Sequence, residues 1–285
     1  MRLLITGGTG YLGRFVVTEA LAAGDHITLL SRRRPEGGTG WIPFDLATPP
    51  ADLPTADALI HCAFDHLPGR YRGGEGDDRQ GFLTRNHDGS VALFQAARAA
   101  GIGRVIFLSS RAVYGAYPRP TLLTEDLPPR PDTLYGQMKW QVEQAFVGMR
   151  TPGFCPVSLR ATGVYGAPTL GGWHKWADLF ADFTAGKSLA PRQGTEVHGA
   201  DLAAALRLCL TAPASRVAAR TFNVSDILLD QRELLAAYAA RQGLRHPLPA
   251  AAPPPGPNVM DCTALRTLGW RPGGWAQLQR FLDSL

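Results

Sequence analysis

Lysine is almost missing from this sequence: Lys139, Lys175 and Lys187 are three of 29 basic residues, and arginine supplies the rest. Cysteine is sparse too. Cys62, Cys155, Cys209 and Cys262 are scattered, with neither the paired spacing of a metal site nor the density of a disulfide framework, so they are expected to be reduced and packed. No run of about 18 apolar residues occurs, and the chain opens on a strand-like stretch instead of a charged segment followed by an apolar one. The expectation is a cytoplasmic protein with no membrane partner. Internal repeats are absent, and low complexity is confined to Ala250-Ala251-Ala252-Pro253-Pro254-Pro255, which reads as an extended surface linker. The net charge of +5 comes from dispersed arginines, apart from Arg32-Arg33-Arg34. Without a basic stripe interleaved with aromatics, a nucleic-acid partner is not expected. A small-molecule substrate is.

What is present begins at the N-terminus. Arg2-Leu3-Leu4-Ile5-Thr6 is a short apolar run, followed by Gly7-Gly8-Thr9-Gly10-Tyr11-Leu12-Gly13 and then Phe15, Val16, Val17, Ala20 and Leu21 at roughly helical spacing. Strand, glycine turn and helix in that order suit a pyrophosphate: the glycines let the backbone approach it, and the helix start offers N–H groups and a positive dipole end. An ordinary glycine-rich turn is the plainer alternative. Strand-like Asp57–Ala63, Arg104–Ser109 and Cys155–Arg160 alternate with helical Phe82–Gly101 and Thr133–Met149, the rhythm of a parallel sheet covered on both faces. The glycine turn, Ser31, Ala63, Ser110 and the segment after Arg160 then converge on the carboxyl edge of the sheet, where ligands bind.

Tyr135 and Lys139 stand four apart, on one helix face. An ammonium beside a phenol favours phenolate, which makes Tyr135 a candidate general acid/base. An exposed helical Tyr/Lys pair is the alternative.

Thr6-Gly7-Gly8-Thr9-Gly10-Tyr11-Leu12-Gly13 together with Tyr135-x-x-x-Lys139 resembles the extended short-chain dehydrogenase/reductases, which include the sugar epimerases and dehydratases. The likeness runs nearly end to end. Asp45-Leu46 resembles the adenine-contacting pair, His61-Cys62-Ala63 the strand beside the cofactor, Asn86-His87-Asp88-Gly89-Ser90 the family's Asn-x-x-Gly-Thr helix start, and Ser109-Ser110-Arg111-Ala112-Val113-Tyr114-Gly115 the segment with the catalytic serine or threonine. Leu159-Arg160, Gly163-Val164-Tyr165-Gly166, Val197-His198-Gly199-Ala200-Asp201 and Leu268-Gly269-Trp270-Arg271-Pro272 follow in the family's order.

The resemblance implies an α/β fold: a Rossmann-type doubly wound parallel sheet over residues 1–160 that binds NAD(P), and a smaller, mainly substrate-binding lobe over 161–285 with segments returning to the core. It implies catalysis by Ser110, Tyr135 and Lys139. Cofactor contacts are expected from Gly7, Gly10, Tyr11, Leu12, Gly13, Ser31, Arg32, Asp45, Leu46, Ala63, Asn86, Tyr135 and Lys139, with no metal. Asn86 has a second reading as a cap of its own helix. Relatives dimerise through the Asn86 and Tyr135 helices, and Phe94 and Trp140 are read either as such a homodimer face or as core. After the second strand, Ile27-Thr28-Leu29-Leu30, NAD enzymes place an acid for the ribose 2′-hydroxyl, whereas this chain has Ser31-Arg32. Serine and arginine suit a 2′-phosphate, so NADP is expected ahead of NAD; a solvated charge run is the alternative.

Departures from the family pattern bear on the substrate. Family members acting on nucleotide-diphosphate sugars commonly carry Asn where this chain has Gly163, and an arginine where it has Pro257-Asn258-Val259-Met260-Asp261. Two phosphates would lack those partners, although Arg192, His174 or Lys175 could replace them. The Asp-Glu pair that follows the catalytic threonine of dehydratases is absent after Ser110, which disfavours dehydration. The polar stretch from His66 to Arg79 reads as a surface excursion or a lid. Trp173-His174-Lys175-Trp176 opens a helix with packing tryptophans, and His198 reads as structural. Three functions follow: an NAD(P)-dependent oxidoreductase acting on a small sugar-like or other polar metabolite, an epimerase that retains its cofactor, and a noncatalytic NADP sensor on the same fold.

Overall fold

The computed structural model describes residues 1–36, 39–67, 70, 73–169 and 171–285. The amino half builds a sheet from β1 (Arg2–Thr6), β2 (His26–Ser31), β3 (Gly40–Pro43), β4 (Ala58–His61) and β5 (Arg104–Ser110); the short β6 (Leu122–Leu123) stands apart, and β7 (Cys155–Ala161) rejoins the sheet. After β8 (Gly163–Tyr165) and β9 (Gln193–His198), β10 (Arg220–Val224) adds a seventh strand to it. The order is β10-β7-β5-β4-β1-β2-β3, every neighbouring pair parallel, so the doubly wound parallel sheet expected from the sequence is observed. The order reverses between β1 and β4, the position where such sheets open a ligand crevice at their carboxyl ends.

The strands are apolar on both sides because helices cover both. Alternation splits them by parity. Leu3, Ile5, Ile106, Leu108, Val157 and Leu159 face one way, onto Val16 and Ala20 of α1 (Tyr11–Ala22) and Leu202, Ala205 and Leu206 of α6 (Gly199–Thr211). Leu4, Leu59, Val105 and Phe107 face the other way, onto α3 (Gly89–Ala99) and α4 (Leu134–Gly148). Each fully buried Leu, Ile or Phe contributes on the order of 1.5–3 kcal/mol. The short α2 (Arg79–Leu83) runs through a π-helical turn, Thr84–Asp88, into α3.

A smaller assembly follows Thr162. Strand β11 (Ile227–Asp230) is antiparallel to β9, which is parallel to β8, and β12 (Val259–Met260) pairs with β6. Helices α5 (Ala177–Thr184), α8 (Gln231–Gln242) and α10 (Gly274–Asp283) bring Phe180, Phe183, Leu234, Leu235, Leu278 and Phe281 into one cluster with Tyr165 and Trp176. The short α7 (Ala214–Val217) and α9 (Thr263–Leu268) complete the chain. Residues 250–255 are irregular. Phe94 is wholly buried in the core, its ring tilted against Phe146 at a centroid separation of 4.2 Å, which removes it from any subunit face; Trp140 is half-buried. No helix among the described residues is long and apolar enough to cross a membrane.

Candidate active site

At the carboxyl end of β1 the chain turns sharply. Gly7 adopts φ +67°, and a Cβ there would stand 2.6 Å from the Ala63 nitrogen. A Cβ on Gly13 would stand 2.0 Å from the Gly7 carbonyl oxygen, so strand, turn and helix close up only with glycine at both positions. The turn is tied by Gly10 N–H donating to the Gly7 carbonyl at 2.9 Å, and Gly10 caps α1 without a side chain, leaving the first-turn N–H groups to face an anion. The turn forms one wall of a cleft of about 280 Å³.

Of the expected cofactor residues, Gly7, Gly10, Tyr11, Leu12, Gly13, Ser31, Arg32, Asp45, Leu46 and Ala63 line this cleft, together with Tyr135 and Lys139. Ser31 donates its hydroxyl to the Arg33 carbonyl at 2.7 Å. The Arg32 guanidinium is 73% exposed and lies 3.9 Å from the Asp65 carboxylate, which Arg85 holds more closely at 2.6 Å. Asn86 and Ser110 are placed differently. Buried in the π-helical turn, Asn86 accepts from Asp65 N–H at 2.8 Å and donates to the Asp65 carbonyl at 2.8 Å and the Phe82 carbonyl at 3.0 Å. It pins the loop along the cleft and does not cap its helix. Ser110 ends β5 and accepts from Ala112 N–H at 3.1 Å, while its neighbour Ser109 borders the cleft.

Lys139 is buried among aromatic rings, with Nζ 4.6 Å from the centroid of Phe107, 5.4 Å from Phe64 and 5.9 Å from Tyr135. It donates to the Leu108 carbonyl at 2.9 Å. Burial lowers its pKa to about 8, against the opposing pull of Cys62 and Glu143. Burial likewise pushes the Cys62 thiol up to about 12, which keeps it a neutral thiol beside the cleft. The Tyr135 ring packs 5.0 Å from Phe64, over the ammonium.

Two polar networks support this wall, and sequence reasoning missed both. In the first, Ala63 N–H donates to the Thr6 hydroxyl at 3.2 Å, Thr6 lies 2.6 Å from His61 Nδ1, His61 Nε2 lies 2.9 Å from the Ser90 hydroxyl, and Ser90 donates to the Asn86 carbonyl at 2.5 Å. Because the Ser90 hydrogen is committed to a carbonyl, Ser90 accepts from His61 Nε2–H, and Nδ1 accepts from Thr6. The imidazole is therefore neutral, and burial lowers its pKa to about 3, helped by the Lys139 charge. In the second, Arg160 grips Glu143 through Nε at 3.1 and 3.2 Å and Nη2 at 2.7 Å, and Ser109 donates to the same carboxylate. Tyr135, Lys139 and Glu143 fall at i, i+4 and i+8 of α4; a carboxylate continuing the face of the Tyr135/Lys139 pair was the signal available.

Around the rim, Tyr11 donates to the Gly166 carbonyl at 2.7 Å and its ring meets Trp173 edge-on at 5.1 Å. Trp173 is 59% exposed, unlike the packing residue expected, whereas Trp176 is buried. His198 accepts from Ala200 N–H at 3.1 Å and caps α6, a structural placement. From the stretch expected as lid or surface excursion, His66 stacks on Phe64 at the cleft; Pro68, Gly69, Tyr71 and Arg72 lie outside the described residues. Among the described residues no group of three or more His, Cys, Asp or Glu could hold a metal.

Known proteins are similar to this chain in sequence and in fold. A UDP-glucose 4-epimerase of Corynebacterium glutamicum is 29% identical over 174 residues, 59% of this chain and 52% of that protein. A uronate dehydrogenase of Agrobacterium fabrum is 35% identical over 140 residues, 48% of this chain and 51% of that protein. The chain thus spans about half the length of the curated relatives it matches. The structure of a Thermus thermophilus UDP-glucose 4-epimerase in complex with NAD superposes with a TM-score of 0.77 at 25% identity, covering 100% of this chain and 98% of that one. The family model for NAD dependent epimerases and dehydratases matches residues 3–225, and the chain belongs to that family.

Proposed function

We propose that the protein is an NADP-dependent oxidoreductase that moves hydride between nicotinamide and a hydroxyl or carbonyl carbon of a small sugar-like or other polar metabolite. The observation that carries this reading is the Lys139 ammonium, buried under the Tyr135 ring in the same cleft as the glycine turn. The residues fit a dinucleotide: Gly7 and Gly13 leave no room for Cβ atoms, and the first turn of α1 presents N–H groups where a pyrophosphate would lie. Bound there, the nicotinamide would supply the hydride chemistry. In reduction, Tyr135 gives its proton to the substrate oxygen, and Lys139 stabilises the phenolate that remains. By the resemblance, Ser110, at the end of β5 beside Ser109 of the cleft wall, would donate its hydroxyl hydrogen to the same oxygen. Cofactor exchange between turnovers distinguishes this chemistry from epimerisation.

The NADP preference rests on the end of β2, where Ser31 and Arg32 stand in place of an acid and Asp65 is held by Arg85. The second reading, an epimerase that retains NAD, is favoured by the UDP-glucose 4-epimerases among the relatives. A noncatalytic sensor is disfavoured by the presence of Ser110, Tyr135 and Lys139 together. A cytoplasmic location and a homodimer built on α3 and α4 belong to the same proposal, with half-buried Trp140 on the outer face. The test is a titration of cofactor-stripped protein with NADP and NAD at one ionic strength. A preference for NADP of tenfold or more, about 1.4 kcal/mol, supports the reading. Preference for NAD, or NAD that resists stripping, overturns it in favour of the epimerase.

A further inference from the structure

We propose that a small cavity beside Gly163 is a subsite for one carboxylate of the substrate, and that its charge balance turns away nucleoside diphosphates; this rests on the oxidoreductase reading above. The cavity measures about 140 Å³ and is bordered by Lys175, Trp176, Arg192, Glu196, Gln231 and Leu234. That is half the volume of the cleft at the glycine turn. It suits a single group.

Its position follows from Gly163. This residue lies two positions beyond the end of β7, on the carboxyl edge of the main sheet, and pairs in register with Glu196. A Cβ on Gly163 would stand 2.6 Å from Glu196 Oε2 and 2.8 Å from Lys175 Nζ, so the ion pair sits directly over the glycine and a side chain there would displace it. The stretch leading to Lys175 packs on the wall of the cofactor cleft, where Tyr11 bonds Gly166 and meets Trp173.

The charges decide what enters. Lys175 donates to Glu196 at 2.5 Å, and two of its three ammonium hydrogens remain for another acceptor. Arg192 is exposed at the mouth and offers a planar fork that matches a carboxylate. Two cations and one carboxylate sum to +1, which a monoanion neutralises. A diphosphate would leave the cavity net negative beside the buried Glu196, without enough donors to replace its water. His174 adds nothing, since burial keeps it neutral and it does not border the cavity.

The experiment is calorimetric titration of the NADP-saturated protein with glucuronate and glucose, which share a ring and differ in one carboxylate, and with UDP. In the wild type, glucuronate binds at least tenfold more tightly than glucose. Lys175→Met removes that advantage and leaves NADP affinity unchanged, while Glu196→Gln raises UDP affinity at least tenfold. Glucuronate no tighter than glucose, including no binding by either, overturns the subsite; so does UDP binding more tightly than glucuronate to the wild type. Preference of the wild type for NAD, or failure to bind NADP, overturns the oxidoreductase reading instead, so the two failures are separable.

Discussion

Replacing Lys139 by methionine tests whether the ammonium is buried as a charge. Burial lowers its pKa from 10.5 to about 8, so between those values the unfolded chain holds a proton that the folded protein has released. Stability therefore rises with pH across this window. A gap of 2.5 units, taken at about 1.36 kcal/mol per unit, amounts to roughly 3 kcal/mol, of which about 2.5 kcal/mol is recovered by pH 10. In Lys139→Met the burial cost disappears, and the charged hydrogen bond to the Leu108 carbonyl, worth about 1.5–3 kcal/mol, is lost with it. At pH 7 the two effects nearly cancel, and the variant matches the wild type within about 1.5 kcal/mol. Urea unfolding of both cofactor-free proteins at pH 7 and pH 10 reads the difference, with other titrating groups cancelling between them. The wild type gains about 2.5 kcal/mol on the variant over that interval. A stability difference that is the same at both pH values refutes the burial of a charged Lys139.

Other outcomes follow from the same geometry. His61, lowered to about 3 by burial, is neutral when folded, so its contribution is lost as pH falls below 6.5. At pH 5 the wild type should have lost about 2 kcal/mol relative to His61→Gln, measured by urea midpoints at pH 7 and 5; equal losses would contradict the assigned neutral imidazole. Gly13→Ala places a Cβ 2.0 Å from the Gly7 carbonyl, and cofactor titration should show at least tenfold weaker binding. Glu143→Ala leaves the Arg160 guanidinium buried without its partner and should cost about 3–5 kcal/mol in denaturant unfolding. A cost below about 1 kcal/mol would mean that the pair is not desolvated.

How much of this was legible in the sequence depends on how local the signal was. The strand, glycine turn and first helix could be read because apolar spacing and turn chemistry act within about twenty residues. Tyr135 and Lys139 could be read because they share a helix face in a chain that uses lysine sparingly. The π-helical turn at Thr84–Asp88 could not: it orients the Asn86 amide toward Asp65, twenty-one residues earlier, and no local propensity encodes that contact. His61 reads locally as one more strand residue, and its role appears only when Thr6 and Ser90 close around it. Glu143 meets Ser109 across thirty-four positions. Phe94 is a different case, since helical periodicity marks an apolar face without saying whether a core or a second subunit covers it.

The central claim is that Tyr135 transfers the proton that accompanies hydride transfer. Its most direct test is steady-state oxidation of NADPH with a panel of small polar carbonyl compounds, comparing the wild type with Tyr135→Phe and measuring cofactor affinity for both. A fall in kcat of about a hundredfold or more with NADP affinity unchanged is the predicted result. Full turnover by the phenylalanine variant would contradict the claim.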